Sequence, residues 1–337
     1  MNLAGTVGSP WRLSVAPMMD WTDRHCRYFH RLLSPRIRLY TEMVSIGALE
    51  FGDIPRHLDF DTEERPLALQ LGGSDPTSLA RGAQLAQRWG YDEVNLNCGC
   101  PSPRVQRGAF GACLMEDSQR VAECAAAMRQ ACDIPVTIKH RLGLGQQVSY
   151  DFMRDFVGTV SQCGGVSVFI VHARNAWLEG LSPKDNRDVP PLRYDLVYRL
   201  KQDFPSLTIV LNGGINSVED IMSHWQHVDG VMVGRRAYHH PWDMTNWDCA
   251  YQVMTQQILD TSSNPKRREA VEQAMVDYMM LQHSRQGVTW PQIARHMLGL
   301  WNGTPGARRW RQVWSDHRLR EVAPLEVWRR AQAARLG

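Results

Sequence analysis

Residues 93–115, EVNLNCGCPSPRVQRGAFGACLM, decide how the chain is read. Glu93 to Asn97 alternates polar and apolar side chains as a short strand does, and the pattern breaks at Cys98-Gly99-Cys100-Pro101. Glycine beside proline forces a sharp turn, so Cys100 falls where a strand ends and its loop begins. In an α/β protein that edge faces the ligand crevice. The loop that follows, Gly108-Ala109-Phe110-Gly111-Ala112-Cys113, is small and pliable, which suits a segment that touches a ligand. A lone cysteine is more often a buried structural residue. Here an asparagine-flanked strand end, a Cys-Pro turn and a glycine loop coincide, and together they favour a functional reading.

Working outward, eight β-rich runs recur: 13–18, 39–43, 67–73, 93–99, 136–142, 168–173, 208–214 and 230–235. Between them lie stretches such as Pro76–Trp89 and 117–131, where apolar residues return every three or four positions as on a helix. Strand-helix alternation of this kind makes a parallel sheet with helical crossovers. Eight repeats match an α/β protein of the (β/α)8 TIM-barrel class, whose usual size is about 250 residues. An open doubly wound sheet is disfavoured, because no strand is followed by a G-x-G-x-x-G turn. A polar stretch with a proline, Thr261-Ser262-Ser263-Asn264-Pro265, ends the barrel pattern, and amphipathic spacing over 267–286 and 292–301 predicts a small all-helical domain. The expected domains are 1–260 and 261–337.

Charged residues make up 22% of the chain and hydrophobic ones 43%, an ordinary globular balance. No apolar run nears the roughly 18 residues a membrane span needs. The first residues lack a secretory pattern, so a cytoplasmic protein without membrane association is expected. Eight cysteines include no C-x2-C pair, which argues against a zinc site and for reduced thiols. The net charge of +3 is uneven: 265–337 holds 13 Lys and Arg against 6 Asp and Glu, leaving the rest of the chain at −4. A basic tail on an acidic body suggests an anionic partner.

The distinctive residues sit at strand C-terminal ends, where a barrel keeps its chemistry. They are Ala16-Pro17-Met18-Met19, Gln70, Asn95 to Cys100, Lys139 with Arg141, His172, Asn212-Gly213-Gly214 and Gly234-Arg235. Glycines after the last two strands let backbone amides approach an anion, the usual barrel phosphate cradle. Lys139 and Arg141 share one strand face, and two cations at a barrel mouth suit an anionic flavin or a polarised carbonyl. Arg141 serves equally well as a rim ion pair, and His172 alone reads as readily as a core residue.

The APM start, the NLNCGCPS…GACLM block, KHRLG, HARNAWLEGLSPKDNR, LNGGI, GVMVGR and the C-terminal HMLGLWNGTPGARRWR resemble the tRNA-dihydrouridine synthases over nearly the whole chain. Within them the resemblance is to the A-type bacterial subfamily that acts at D-loop positions 20 and 20a. It implies an FMN-binding barrel followed by a helical tRNA-binding domain. It further implies FMN contacts from Pro17, Met18, Met19, Gln70, Lys139, His172, Asn212, Gly213, Gly214, Gly234 and Arg235, with NADPH as a transient reductant. Cys100 matches the family's proton donor; Cys113 is the second choice for that acid, and Cys98 receives no role. Placement and resemblance together nominate Asn97 and Arg141 for the uracil edge.

Reduction of the uridine C5=C6 bond needs hydride at C6 and a proton at C5. A thiol with its ordinary pKa of about 8.5 stays protonated at neutral pH, so Cys100 should not be activated. A stacked or paired uridine must leave the tRNA fold to reach a barrel mouth. The backbone at the D-loop and elbow then needs a grip, for which Lys184, Asn186 and Arg187 after the sixth strand are candidates, with Arg308 and Arg311 in the tail. Most tail tryptophans are expected to be core. A monomer without a metal is expected. Two other readings stay open: a flavin-dependent reductase of a free pyrimidine or other small molecule, and a tRNA-binding protein without catalysis.

Overall fold

The computed structural model describes residues 9–247 and 267–337. Eight strands, β1 (Leu13–Val15), β2 (Leu39–Ser45), β3 (Leu67–Gly72), β4 (Glu93–Cys98), β5 (Val136–Arg141), β6 (Val168–His172), β7 (Thr208–Asn212) and β8 (Gly230–Val233), pair in the order β1-β8-β7-β6-β5-β4-β3-β2. Every pairing is parallel. The β1–β2 seam is joined by a bridge between Ser14 and Arg38. There the Val15 amide donates to the Arg38 carbonyl at 2.9 Å and the Arg38 amide to that of Leu13 at 3.2 Å. The sheet thus closes on itself into the (β/α)8 barrel that the repeats predict, and the open sheet is excluded.

Alternation along the strands sends successive side chains in and out of the barrel. Inside, Ala16, Tyr40, Ala68, Ile170, Val210 and Met232 form an apolar cluster, with Trp11 packed against it. The other face meets the crossover helices: His140 is fully buried there beside Phe156 and Phe169, with ring centroids 5.1 and 5.9 Å away. Several of the crossover helices begin on side-chain caps. Asp75 accepts from the Ser78 amide, Asp117 from that of Arg120, and Ser217 with Asp220 forms a capping box. Each such cap is worth about 1 kcal/mol.

Contacts divide the chain into two compact units, Met1–Thr22 with Ile37–Gly234, and Asp23–Arg36 with Arg235–Gly337. The polar stretch 261–265, where the sequence suggested the break, lies outside the described residues. In the second unit the helix Arg24–Leu33 joins the C-terminal helices. Asp23 takes hydrogen bonds from Arg295 at 2.7 Å and His296 at 2.9 Å, and Tyr28 stacks on Tyr278 at 3.9 Å.

The hub of this unit is Glu272, on the helix Arg268–Gln286. Its buried carboxylate accepts indole N–H groups from Trp310 at 2.6 Å, Trp314 at 3.1 Å and Trp301 at 3.1 Å, and the Gln332 amide at 2.5 Å. Trp290 is buried too, so four of the five tail tryptophans are core, as expected.

One helix differs from its reading. In place of 292–301, the chain forms Trp290–Ala294 and then tight turns, with Met297 bonding to Ala294 and Leu300 to Met297. Gly299 explains this. Its backbone lies so close to the His239 carbonyl and to Pro241 that a β-carbon would come within 2.7 Å of each.

Candidate active site

The barrel residues singled out at strand ends lie on the first unit, except Arg235, which begins the helix Arg235–His239 of the second. Register fixes which of them share a face. Asn97 pairs with Lys139, and Arg141, His172 and Asn212 pair in succession across β5, β6 and β7.

Cys100 stands just beyond β4, held by Asn97. The Asn97 Oδ1 accepts the Gly99 amide at 3.0 Å and the Cys100 amide at 2.9 Å, which closes the Cys-Pro turn. The glycine loop then folds back, and the Ala112 amide donates to the Cys100 carbonyl at 3.0 Å. Gly111 permits that approach: its φ is +79°, and a β-carbon would lie 2.6 Å from the Cys100 oxygen. Burial pushes the Cys100 thiol above its ordinary value, opposed by the Ser102 amide and the charges of Arg141, Lys139 and Arg187. Burial thus favours the neutral thiol over the thiolate. Cys113 turns its Sγ onto the Phe110 carbonyl at 3.1 Å. Cys98 is fully buried, and desolvation drives its thiol far up.

Lys139 has no hydrogen-bond or carboxylate partner among the described residues. Desolvation first, then repulsion from Arg141, lowers its pKa to about 7. Such an amine is stabilised by an anion brought to it. Gln70 is buried and linked to Asn97, whose Nδ2 donates to Gln70 Oε1 at 2.9 Å.

After β7, Gly213 and Gly214 have φ of +110° and +73°. A β-carbon on Gly213 would lie 3.2 Å from His172 Nε2; on Gly214 it would meet Leu192 Cδ1 and the Tyr194 hydroxyl at 2.5 Å. Tyr194 secures the turn by donating to the Gly213 carbonyl at 2.9 Å. Asn212 reaches across to the Met232 carbonyl at 2.7 Å. Around Gly234 only Ala16 Cβ and Met18 Sδ lie near, at 3.8 and 4.0 Å, so backbone is open there. Of the first-strand residues, Met18 is buried and Met19 is exposed.

Bare backbone at two glycine turns, an amine lacking a counter-charge and buried amides on one face fit a planar, anionic, hydrogen-bonding group such as FMN. Among the described residues no cluster suited to a metal ion occurs, and no helix is long and apolar enough to cross a membrane.

The loop residues divide. Lys184 is exposed and Arg187 half-buried, whereas Asn186 is fully buried. Its Oδ1 accepts the Trp177 amide at 2.8 Å and its Nδ2 donates to the Trp177 carbonyl at 2.9 Å, so the side chain is spent on its own loop. Arg141 is similarly engaged. It donates to the carbonyls of Gly99 at 3.1 Å, Asn175 at 3.1 Å and Asn186 at 2.8 Å, tying the β4 turn to the β6 loop. Burial brings its guanidinium down to about 10. Arg308 and Arg311 are exposed on the helix Ala307–Trp314.

The sequence reading missed Glu93 and Thr137 below this site, and Tyr194 beside it. A signal existed: positions 93, 95 and 97, and 137, 139 and 141, are all polar at strand period, which marks an inward polar face.

Closed topology and chemistry at the strand ends define a (β/α)8-barrel enzyme. The dihydrouridine synthase (Dus) family matches residues 14–334, and the chain belongs to it. The chain is 51% identical over 322 residues to the tRNA-dihydrouridine(20/20a) synthase of Vibrio parahaemolyticus, covering 96% of each protein. It is 55% identical over 317 residues to the protein of that name from Xanthomonas campestris pv. campestris, covering 94% of this chain and 91% of that one. With the Escherichia coli K12 protein of that name identity is 53% over 316 residues, covering 94% and 89%. Among solved structures, a 2-naphthoyl-CoA reductase complex superposes with a TM-score of 0.54 at 10% identity, over 75% of this chain and 55% of that one; this likeness speaks to fold alone.

Proposed function

We propose that the protein reduces uridines 20 and 20a in the D-loop of tRNA to 5,6-dihydrouridine, with FMN as bound cofactor, NADPH as transient reductant and Cys100 as proton donor. It acts in the cytoplasm as a monomer. The observation that carries this reading is the Cys-Pro turn at the end of β4, where Asn97 holds Cys100 by two backbone amides, in a chain about half identical to proteins of that name.

In this reading Gln70, Lys139, His172 and the backbone of Asn212 to Gly214 and Gly234 hold FMN. The chemistry that the flavin would supply when bound is hydride for C6 of the uracil ring. Cys100 gives its proton to C5, completing the addition of hydride and proton across the double bond. The thiolate left behind is offset by the charges of Arg141, Lys139 and Arg187, and solvent reprotonates it. Asn97 orients the turn, while Lys184 and Arg187 meet the RNA backbone.

Replacing Cys100 by Ala tests the assignment. NADPH should still bleach the flavin at the wild-type rate, while dihydrouridine formation, measured by mass spectrometry of digested tRNA, should fall by at least ~100-fold, the scale of a lost general acid. Undiminished turnover would move the acid elsewhere. Turnover on free uridine without tRNA would favour the small-molecule reductase.

A further inference from the structure

Beneath the Cys-Pro turn runs a single file of hydrogen bonds through the barrel. Asn97 Nδ2 donates to Gln70 Oε1 at 2.9 Å, and Gln70 Nε2 donates to Asn95 Oδ1 at 2.7 Å. Asn95 Nδ2 donates to Thr137 Oγ1 at 2.7 Å, and that hydroxyl donates to Glu93 Oε1 at 2.6 Å. Each link has one donor and one acceptor end, so the direction of one amide dictates the next.

Both ends of the file fix the same direction. At the upper end, the Gly99 and Cys100 amides can only donate, so the atom Asn97 offers them must be its oxygen. At the lower end, Glu93 is fully buried and receives the Trp11 indole at 2.7 Å and the Tyr40 hydroxyl at 2.8 Å, with the Arg38 guanidinium 3.0 Å away as an ion pair. A carboxylate so placed accepts from Thr137 and cannot donate to it. The amide orientations thus follow from chemistry at the two ends, independent of how side-chain oxygen and nitrogen are assigned.

We infer that Glu93 and Thr137 are positioning residues for the proton donor: they polarise the Asn95–Gln70–Asn97 file so that an oxygen always faces the turn carrying Cys100. This rests on Cys100 being the acid. A flipped Asn97 would present its NH2 to two N–H donors and release the turn. The file also passes through Gln70, so the orientation of one proposed FMN contact and the placing of the acid are set by the same carboxylate.

Thr137→Val keeps the shape of the side chain and cuts the file; Asn95→Leu cuts it one link higher and carries the test if the first variant is insoluble. In the FMN-loaded variants kcat with tRNA should fall about tenfold while KM moves within about twofold, the worth of one orienting hydrogen bond. Alkylation of Cys100 by iodoacetamide, followed by peptide mass spectrometry against pH, gives a readout independent of turnover. Its profile should move to lower pH, because burial of the closed turn is what holds that thiol up. Thr137→Ser should restore both. If both cut variants keep the wild-type kcat and alkylation profile, the file is only barrel packing and the inference is overturned. Failure of the acid assignment looks different: Cys100→Ala would keep turnover, while the alkylation profile of Thr137→Val would still report whether the file sets the turn.

Discussion

Lys139 states the residue-scale chemistry most sharply. Its amine lies in a low-dielectric mouth beside Arg141, and its pKa of about 7 is well below the lysine norm. Between pH 7 and about 10.4 the unfolded chain therefore binds more protons at this position than the folded protein does. The lysine's contribution to stability accordingly rises with pH across that window. Binding of an anion reverses the preference and raises the pKa, so Lys139 should take up a proton when FMN binds above pH 7. Its affinity should fall as pH rises from 7 to 9, by at most about tenfold per unit for one proton. The second ionisation of a phosphate monoester, near ~6, lies below this range. Fluorescence titration of apoprotein checks it: Lys139→Met should bind more weakly and with a flat profile. A flat profile in the wild type would remove Lys139 from the anion site.

At the scale of elements, the barrel works because its strands stop where the backbone must be bare. Gly214 has little room for a side chain, with a positive φ and with Leu192 and Tyr194 in the way. Gly214→Ala should cost about 1–2 kcal/mol from the left-handed backbone, and more where Tyr194 is pushed off the Gly213 carbonyl. Thermal melts with and without FMN separate the outcomes. The prediction is a lowered melting point and a lost FMN-induced rise; a full rise would show that this turn does not touch the cofactor. The strands were legible because polar–apolar alternation and strand-end glycines are local properties. The hydrogen bond from Thr137 to Glu93 was not, because it depends on the stagger of β5 against β4, which sets Thr137 opposite Asn95. Nor was the inward turn of Asn186, which is set by the path of its loop around Trp177. The short helix at Trp290 escaped for a similar reason: Met297 and Leu300 have helical spacing, but the approach of Gly299 to His239 and Pro241 is tertiary.

For the whole molecule, the uneven charge now has a physical layout. Residues 265–337 carry a local +7, and the helix Ala307–Trp314 shows how it is displayed. Trp310 and Trp314 point inward to the Glu272 carboxylate, and Ala307 is buried with them. Arg308 and Arg311, three apart, therefore share the outer face and are exposed. Neither arginine contributes to the Glu272 hub, so both can be removed without leaving a buried donor unpaired. Arg308→Gln with Arg311→Gln should then leave the tryptophan fluorescence and melting of the helices unchanged while weakening tRNA binding. Every phosphate deprived of its cation lowers the slope of log affinity against log salt by roughly 0.7–0.9, so the double variant should flatten it by about 1.5. Binding measured between about 50 and 200 mM salt decides the matter: a parallel line displaced to weaker affinity would mean that these arginines act through packing, and an unmoved line that the RNA is gripped elsewhere.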